Sequence, residues 1–340
     1  MRVLVIKTTS MGDVIHTLPA LNDAAKAIPN IRFDWVVEEA FDEIPSWHPA
    51  VDEVIPVAIR RWRKNIFESL HSAEWKQCKQ MLRQRHYDCV IDAQGLVKSA
   101  WLARYTRAPR FGYDRYSVRE RLATLAYHHK IAVPKNLHAV ERSRRLFSAS
   151  LGYTLPEENG QLVNGSYGIE KSRFRTSGQS KANLVLLHGT TRDDKHWPEA
   201  YWIELCKILC GWGYKVYLPW GNEEEKARAK RITSEANCAQ VLPKLNIRGV
   251  ACVLAKADAV VAVDTGLGHL TAALNIPAIS LYGTTSPDLV GAYGENQIHL
   301  CSKDYPVVKD KTISPSEMAA LTPEIVVEKL VWLLADSNKG

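Results

Sequence analysis

The stretch VIKTTSMGDVIHTLPAL, Val5 to Leu21, runs from apolar residues of strand character through a small polar loop into residues whose apolar side chains recur at helical spacing. A strand feeding a helix through a short loop is one step of a β–α alternation. Gly12 and Asp13 stand where the two elements meet. The loop lacks both the G-x-x-x-x-G-K-[ST] spacing of a P-loop and the G-x-G-x-x-G of a dinucleotide fold, so it does not by itself establish nucleotide binding.

Outward from this step the alternation continues. Strand candidates fall at RVLVIK, FDWVVE, EVIPV and YDCVIDAQG, with helical stretches between them, which predicts an α/β fold with a parallel sheet. After Leu151 the text GYTLPEENGQLVNGSYGIEKSRFRTSGQSKAN turns polar and reads as a linker with room for one short helix. The alternation restarts with NLVLLHGT, KVYLPWG, AQVLP, AVVAVDTG and AISLYG, so a second, similar domain is expected. A last helix is read in TPEIVVEKLVWLLADS, with Thr322 as N-cap and Pro323 at the first helical position. Ligands of open parallel sheets bind beyond the carboxyl ends of the strands, which puts the expected site in an interdomain cleft. Three segments would line it: Ser10 to Asp13, His188 to Lys195, and Asp264 to His269.

Composition bounds the function. A chain of 340 residues with 46% hydrophobic and 24% charged residues suits an ordinary globular protein of two domains. The apolar run VLVI near the N-terminus is too short for a secretory signal, and no stretch approaches the roughly 20 apolar residues of a membrane span. A cytoplasmic protein is expected. The seven cysteines are scattered, and the only close pair, Cys206 and Cys210, has helical spacing, so neither a disulfide framework nor a zinc site is indicated. The net charge of +7 is uneven: RRWRK at Arg60 to Lys64 is one basic block, and Arg104, Arg107, Arg110, Arg115, Arg119 and Arg121 form another. Each block taken alone reads as a solvated face before a functional one, and two blocks in one half are more suggestive.

In VVAVDTGLGHLTAAL a strand ends at Asp264, and Thr265 and Gly266 turn the chain into a helix whose first N–H groups form an anion site. Asp264 would repel a phosphate but suits sugar hydroxyls; it also suits a helix cap, with His269 as a packed helical histidine. Asp-Thr-Gly is the aspartic-protease tripeptide too, but such a site needs two of these loops on all-β lobes. In LLHGTTRDDKHWPEAYW, Thr190 and Thr191 offer hydroxyls after a strand and Lys195 a point charge for phosphate. Glu223, Glu224 and Glu225 in LPWGNEEEKARAK fall in a first helical turn, where the dipole favours them, and one of them has reach for a ribose. Asp13 reads either as a base or as the cap of a helix beginning at Val14. No D-x-D metal motif occurs, and neither a metal nor another cofactor is implied.

The strings KTTSMGDVIHTLPAL, FDWVVEEAF, VIPVAIRRWRK, VIDAQGLVKSA, TTRDDKHWP, LPWGNEEEKARAKR and VDTGLGHLTAAL, in this order over nearly the whole chain, closely resemble the lipopolysaccharide heptosyltransferase I family of Gram-negative bacteria. The likeness weakens in the linker and the C-terminal tail. It implies a GT-B fold: an acceptor-binding Rossmann-like domain over 1–170, a donor-binding one over 171–319, and a last helix, about 320–340, packed back on the first domain. The implied reaction moves L-glycero-D-manno-heptose from ADP-heptose to the inner Kdo of Kdo2-lipid A, with inversion, by a protein peripheral to the cytoplasmic face of the inner membrane.

By the same resemblance Asp13 is the catalytic base, and Thr190, Thr191, Lys195, Glu225, Leu245, Asp264, Thr265, Gly266 and His269 bind the donor. Leu245 stands where the family would have Met, a volume-conserving change. The basic block Arg60, Arg61, Arg63 and Lys64, following the third strand on the sheet edge of Asp13, would face the anionic acceptor, with Trp62 either at headgroup level or packed on the domain. The alternatives are another GT-B sugar transferase of cell-envelope synthesis and, from a different class, a non-catalytic polyanion-binding protein, since clustered cations bind any polyanion; no nucleic-acid motif accompanies them and nucleic acid is not an expected partner.

Overall fold

The computed structural model describes the chain except for residues 66–67, 69–70, 159–160, 176–182, 307–317 and 338–340. It divides into two compact units, Met1–Ile169 and Glu170–Gly340.

The first unit holds β1 (Arg2–Ile6), β2 (Arg32–Glu38), β3 (Val51–Val57), β4 (Cys89–Asp92), β5 (Arg110–Tyr113) and β6 (His129–Ile131). They form one parallel sheet in the order β3-β2-β1-β4-β5-β6. Val3, Leu4, Val5 and Ile6 are all fully buried. Helices cover both faces of such a sheet, so its central strands read as continuous apolar runs rather than alternating ones. Leu4, Ile6, Val36, Ile55 and Val90 meet Trp75, Leu82 and Leu102 in one core. The helices Leu18–Ala27 and Ala139–Leu151 pack together, and the buried Arg144 guanidinium donates to Asp23 at 2.6 Å and to the Val163 carbonyl at 2.7 Å. A buried ion pair of this kind fixes geometry more than it stabilises.

A small hairpin of β7 (Glu157–Glu158) and β8 (Gln161–Leu162) follows, and then a 3₁₀ turn, Lys171–Phe174, inside the segment read as a linker. The second unit repeats the first arrangement with β9 (Asn183–Leu187), β10 (Lys215–Leu218), β11 (Ala239–Val241), β12 (Ala259–Val263), β13 (Ala278–Tyr282) and β14 (Gln297–Cys301). The order β11-β10-β9-β12-β13-β14 is again wholly parallel.

The last helix, Pro323–Ser337, starts at the expected proline. Its described packing is within the second unit, where Val326, Leu330 and Leu333 join the core with Leu205, Leu209 and Val261. One cysteine expectation is corrected: Cys210 and Cys238 form a disulfide with a Cα–Cα distance of 5.5 Å. They are 28 residues apart, and only the parallel pairing of β10 with β11 brings the end of the helix Glu199–Gly211 beside the residue preceding β11.

Candidate functional site

In both sheets the first strand lies beside the fourth, and the chain winds outward from that pair in opposite directions. The loops leaving the two central strands therefore part and leave a crevice at their carboxyl ends, the usual binding position in doubly wound sheets. The loops concerned are Lys7–Ser10 and Ala93–Leu96 in the first unit, and those beginning at His188 and Asp264 in the second.

In the first crevice Gln94 ties the two loops together, its side-chain oxygen accepting from the Thr8 and Thr9 N–H groups, each at 3.0 Å. Below it Asp92 is buried and accepts from the Gln94 and Gly95 N–H groups, from Ser99 Oγ at 2.8 Å and from the Tyr127 hydroxyl at 2.7 Å. Burial pushes the Asp92 carboxyl up despite these donors.

Asp13 is the third residue of a helix that starts at Met11, not at Val14. It is thus no N-cap residue, but its Oδ2 reaches back to accept from the Ser10 N–H at 2.9 Å. That leaves Oδ1 for two cations, the Lys7 ammonium at 3.4 Å and the Arg119 guanidinium at 3.2 Å. Burial works to raise the carboxyl, but Lys7, Arg119 and the Ser10 N–H outweigh it and hold Asp13 below its ordinary range. Lys7 also donates to the Ala93 carbonyl at 3.1 Å, and burial draws its pKa down against the pull of Asp13. A carboxylate so held is ionised and aimed, able to accept a proton or a hydroxyl hydrogen bond.

The basic block follows β3 on the short helix Ile59–Trp62. Arg60 lies with its guanidinium over Phe41 at 5.6 Å, while Arg61 is paired with both Glu39 and Glu74 at 3.0 Å. Trp62 packs edge-on against Trp75 and donates to Glu74, so it belongs to the domain. Arg63 and Lys64 are exposed.

In the second crevice Asp264, at the end of β12, accepts from the Lys195 ammonium at 2.6 Å and from the Thr285 hydroxyl at 2.8 Å. His269 Nε2 stands 3.9 Å from its other oxygen, and Thr190 Oγ1 donates to the Asp264 carbonyl at 3.2 Å. Thr265 occupies the N-cap position of the helix Gly266–Ala273, without a capping hydrogen bond from its side chain. Thr190, Lys195, Asp264, Thr265, Gly266 and His269 are thereby one cluster, and Thr191 is exposed beside it. Glu225, in the first turn of the helix Glu223–Thr233, accepts from the Gly221 N–H at 2.7 Å. A Cβ on Gly189 would come within 2.7 Å of that carboxyl, so the Glu225 side-chain end lies directly against the loop after β9. Leu245, half-buried, lies in the loop after β11, just before the Asn246 cap of the helix Ile247–Leu254.

Two site groups escaped the sequence reading. Lys7 is a charged residue directly continuing a buried strand, and Thr285 lies in the loop after β13, three residues past its end; position relative to a strand end was the available signal in both cases.

Residues 75–319 match the family model of glycosyltransferase family 9 (heptosyltransferase). The chain is 54% identical to lipopolysaccharide heptosyltransferase 1 of Pseudomonas aeruginosa, over 93% of this chain and 89% of that protein. It is also 54% identical to the protein of the same name from Escherichia coli K12, over 88% and 92%. The E. coli heptosyltransferase WaaC, solved with ADP, superposes with a TM-score of 0.88 at 48% identity, covering 98% of this chain and 100% of that one. With two doubly wound parallel units, a GT-B architecture and these relatives, the chain belongs to glycosyltransferase family 9, the heptosyltransferases.

Proposed function

We propose that this protein transfers L-glycero-D-manno-heptose from ADP-heptose to the inner Kdo of Kdo2-lipid A, inverting the anomeric centre. The observation that carries the catalytic part is the ionised Asp13 carboxylate between Lys7 and Arg119 at the first crevice. The relatives' names carry the substrate class, as does the E. coli WaaC structure solved with ADP-2-deoxy-2-fluoro heptose, 48% identical to this chain.

An inverting transfer is a single displacement. Asp13 takes the proton of the acceptor hydroxyl as its oxygen bonds to the anomeric carbon, and the bond to the ADP oxygen breaks as negative charge gathers on the diphosphate. On this reading Lys195, the Thr190 and Thr191 hydroxyls, and the N–H groups opening the helix at Thr265 and Gly266 receive the diphosphate. Asp264 and His269 hold sugar hydroxyls, Glu225 the ribose, and Leu245 the adenine. Lys195 pairs with Asp264 here and exchanges part of that contact for phosphate when the donor binds. Arg60, Arg63 and Lys64 attract the carboxylates and phosphates of the acceptor; Arg61 contributes less, because Glu39 and Glu74 already neutralise it.

Among the described residues no helix is long and apolar enough to cross a membrane. The lipid acceptor nevertheless calls for work at a bilayer, and we assign the enzyme to peripheral association with the cytoplasmic face of the inner membrane. The deciding assay offers ADP-heptose with Kdo2-lipid A and follows ADP release together with the mass of the lipid. Heptosylated product is expected; ADP release without it would make the acceptor wrong, and neither would make the donor wrong.

A further inference from the structure

Leu122 and Leu125 are 69% and 79% exposed, and Tyr116 is 69% exposed. Single exposed apolar residues are ordinary on a protein surface, but these three are gathered in one segment. Leu122 and Leu125 are three apart on the 3₁₀ helix Arg121–Ala126, where such spacing puts side chains on the same side, while Ala123, Thr124 and Ala126 are buried beneath them. That helix packs against the helix Val97–Ala103, whose exposed Val97 donates its N–H to the Glu120 carboxylate at 2.6 Å. Cations stand among the apolar tips. Arg115, with its guanidinium 5.0 Å from the Tyr116 ring, Arg119 and Arg121 are all exposed. The carboxylates of this segment are already engaged by backbone: the exposed Glu120 accepts from the Val97 N–H, and the half-buried Asp114 accepts from the Tyr116 and Ser117 N–H groups. Apolar tips set among arginines whose neighbouring acids are engaged match an interface that is apolar below and anionic above.

We propose that the surface formed by Val97, Tyr116, Leu122 and Leu125 with Arg115 and Arg121 docks on an anionic bilayer, the leucines entering the boundary between headgroups and acyl chains. This rests on the reading that the acceptor is a lipid-anchored sugar, and it gives that reading a place. Arg119, in the same segment, reaches Asp13 at 3.2 Å, so docking here brings the carboxylate to the level at which a membrane-held sugar is presented. Phosphate-rich headgroups supply the negative charge, and the arginines match it bidentately.

Flotation with vesicles that contain no acceptor tests the assignment. The wild-type chain is expected to float with phosphatidylglycerol-containing vesicles, to stay behind with pure phosphatidylcholine vesicles, and to be partly released at about 0.5 M salt. Leu122→Glu/Leu125→Glu should weaken vesicle binding about tenfold or more, and the gentler Leu122→Ala/Leu125→Ala several-fold. Both should keep the wild-type melting temperature and wild-type transfer to a lipid-free Kdo-bearing acceptor, while losing transfer to acceptor embedded in vesicles by a similar factor. Vesicle binding by the variants equal to that of wild type overturns the proposal. So does wild-type binding that appears only when the lipid acceptor is present, since the surface then reads the acceptor's own chains. Loss of self-association in the variants with vesicle binding intact overturns it too, in favour of a second copy of the chain. Failure of the functional reading shows separately, as absent transfer by wild type to the lipid-free acceptor.

Discussion

Asp13 is held ionised by its neighbours rather than by exposure, which makes its partners as testable as itself. Asp13→Ala should lower turnover by about two to four orders of magnitude with little change in donor affinity, measured by single-turnover kinetics and ADP-heptose titration. Lys7→Met removes the buried one of the two cations that face Asp13. The carboxyl pKa then rises, because burial still raises it and only Arg119 and the Ser10 N–H remain to lower it. Since the base must be unprotonated, the acid limb of the kcat–pH profile should move to higher pH, and an unmoved limb would show that Lys7 does not govern the base. In the second unit, Lys195→Ala and Asp264→Ala each remove a charge-assisted hydrogen bond and should weaken ADP-heptose binding by about one to two orders of magnitude in calorimetry, with a smaller effect on bound-state turnover. At this scale the sequence was informative about residues that directly follow a strand, such as Asp264. It did not show that Lys7 and Arg119 meet at Asp13, a meeting that in the case of Arg119 joins positions 106 residues apart.

Among the elements, β5 and its neighbours show how a tight approach fixes a site from below. Gly112 in β5 faces the Tyr127 ring so closely that a Cβ would lie 2.4 Å from it, and Tyr127 is pinned by its bond to Asp92. Gly112→Ala should therefore displace the ring and cost about 1–3 kcal/mol, seen as a melting temperature lower by several degrees. Tyr127→Phe keeps the ring but leaves an oxygen of Asp92 with one donor fewer, a milder loss. The central strands were legible because burial on both faces makes them plain apolar runs. β5, β6 and β14 were not: RFGY, HKI and QIHLC are short and interrupted by polar or charged residues, β6 and β14 are edge strands, and the first two are submerged in the basic text around them. The polar segment after Leu151 hid a two-stranded hairpin for the same reason.

For the molecule as a whole, the disulfide offers a clean separation of stability from chemistry. Cys210 and Cys238 lie before β10 and β11, at the amino ends of those strands, while the candidate site is built at the carboxyl ends of the same sheet. Reduction should remove about 3–4 kcal/mol of chain-entropy stabilisation for a bridge spanning 28 residues and lower the melting temperature, with the transfer rate at 25 °C unchanged. A rate that falls with reduction would mean the far edge of the sheet communicates with the donor loops. The sequence could show the fold class and the doubling of the domain, but not this bridge, because its partners meet only once the second sheet has assembled.

The strand order of the first sheet is repeated in the second, each around its own core. On the proposed division of labour, recognition of the sugar to be extended and of the sugar to be delivered are lodged in separate hydrophobic interiors. Substitutions that retune one need not repack the other. A lineage built on this plan can drift toward a new acceptor while keeping its old donor, or the reverse, and each half carries its own history of selection.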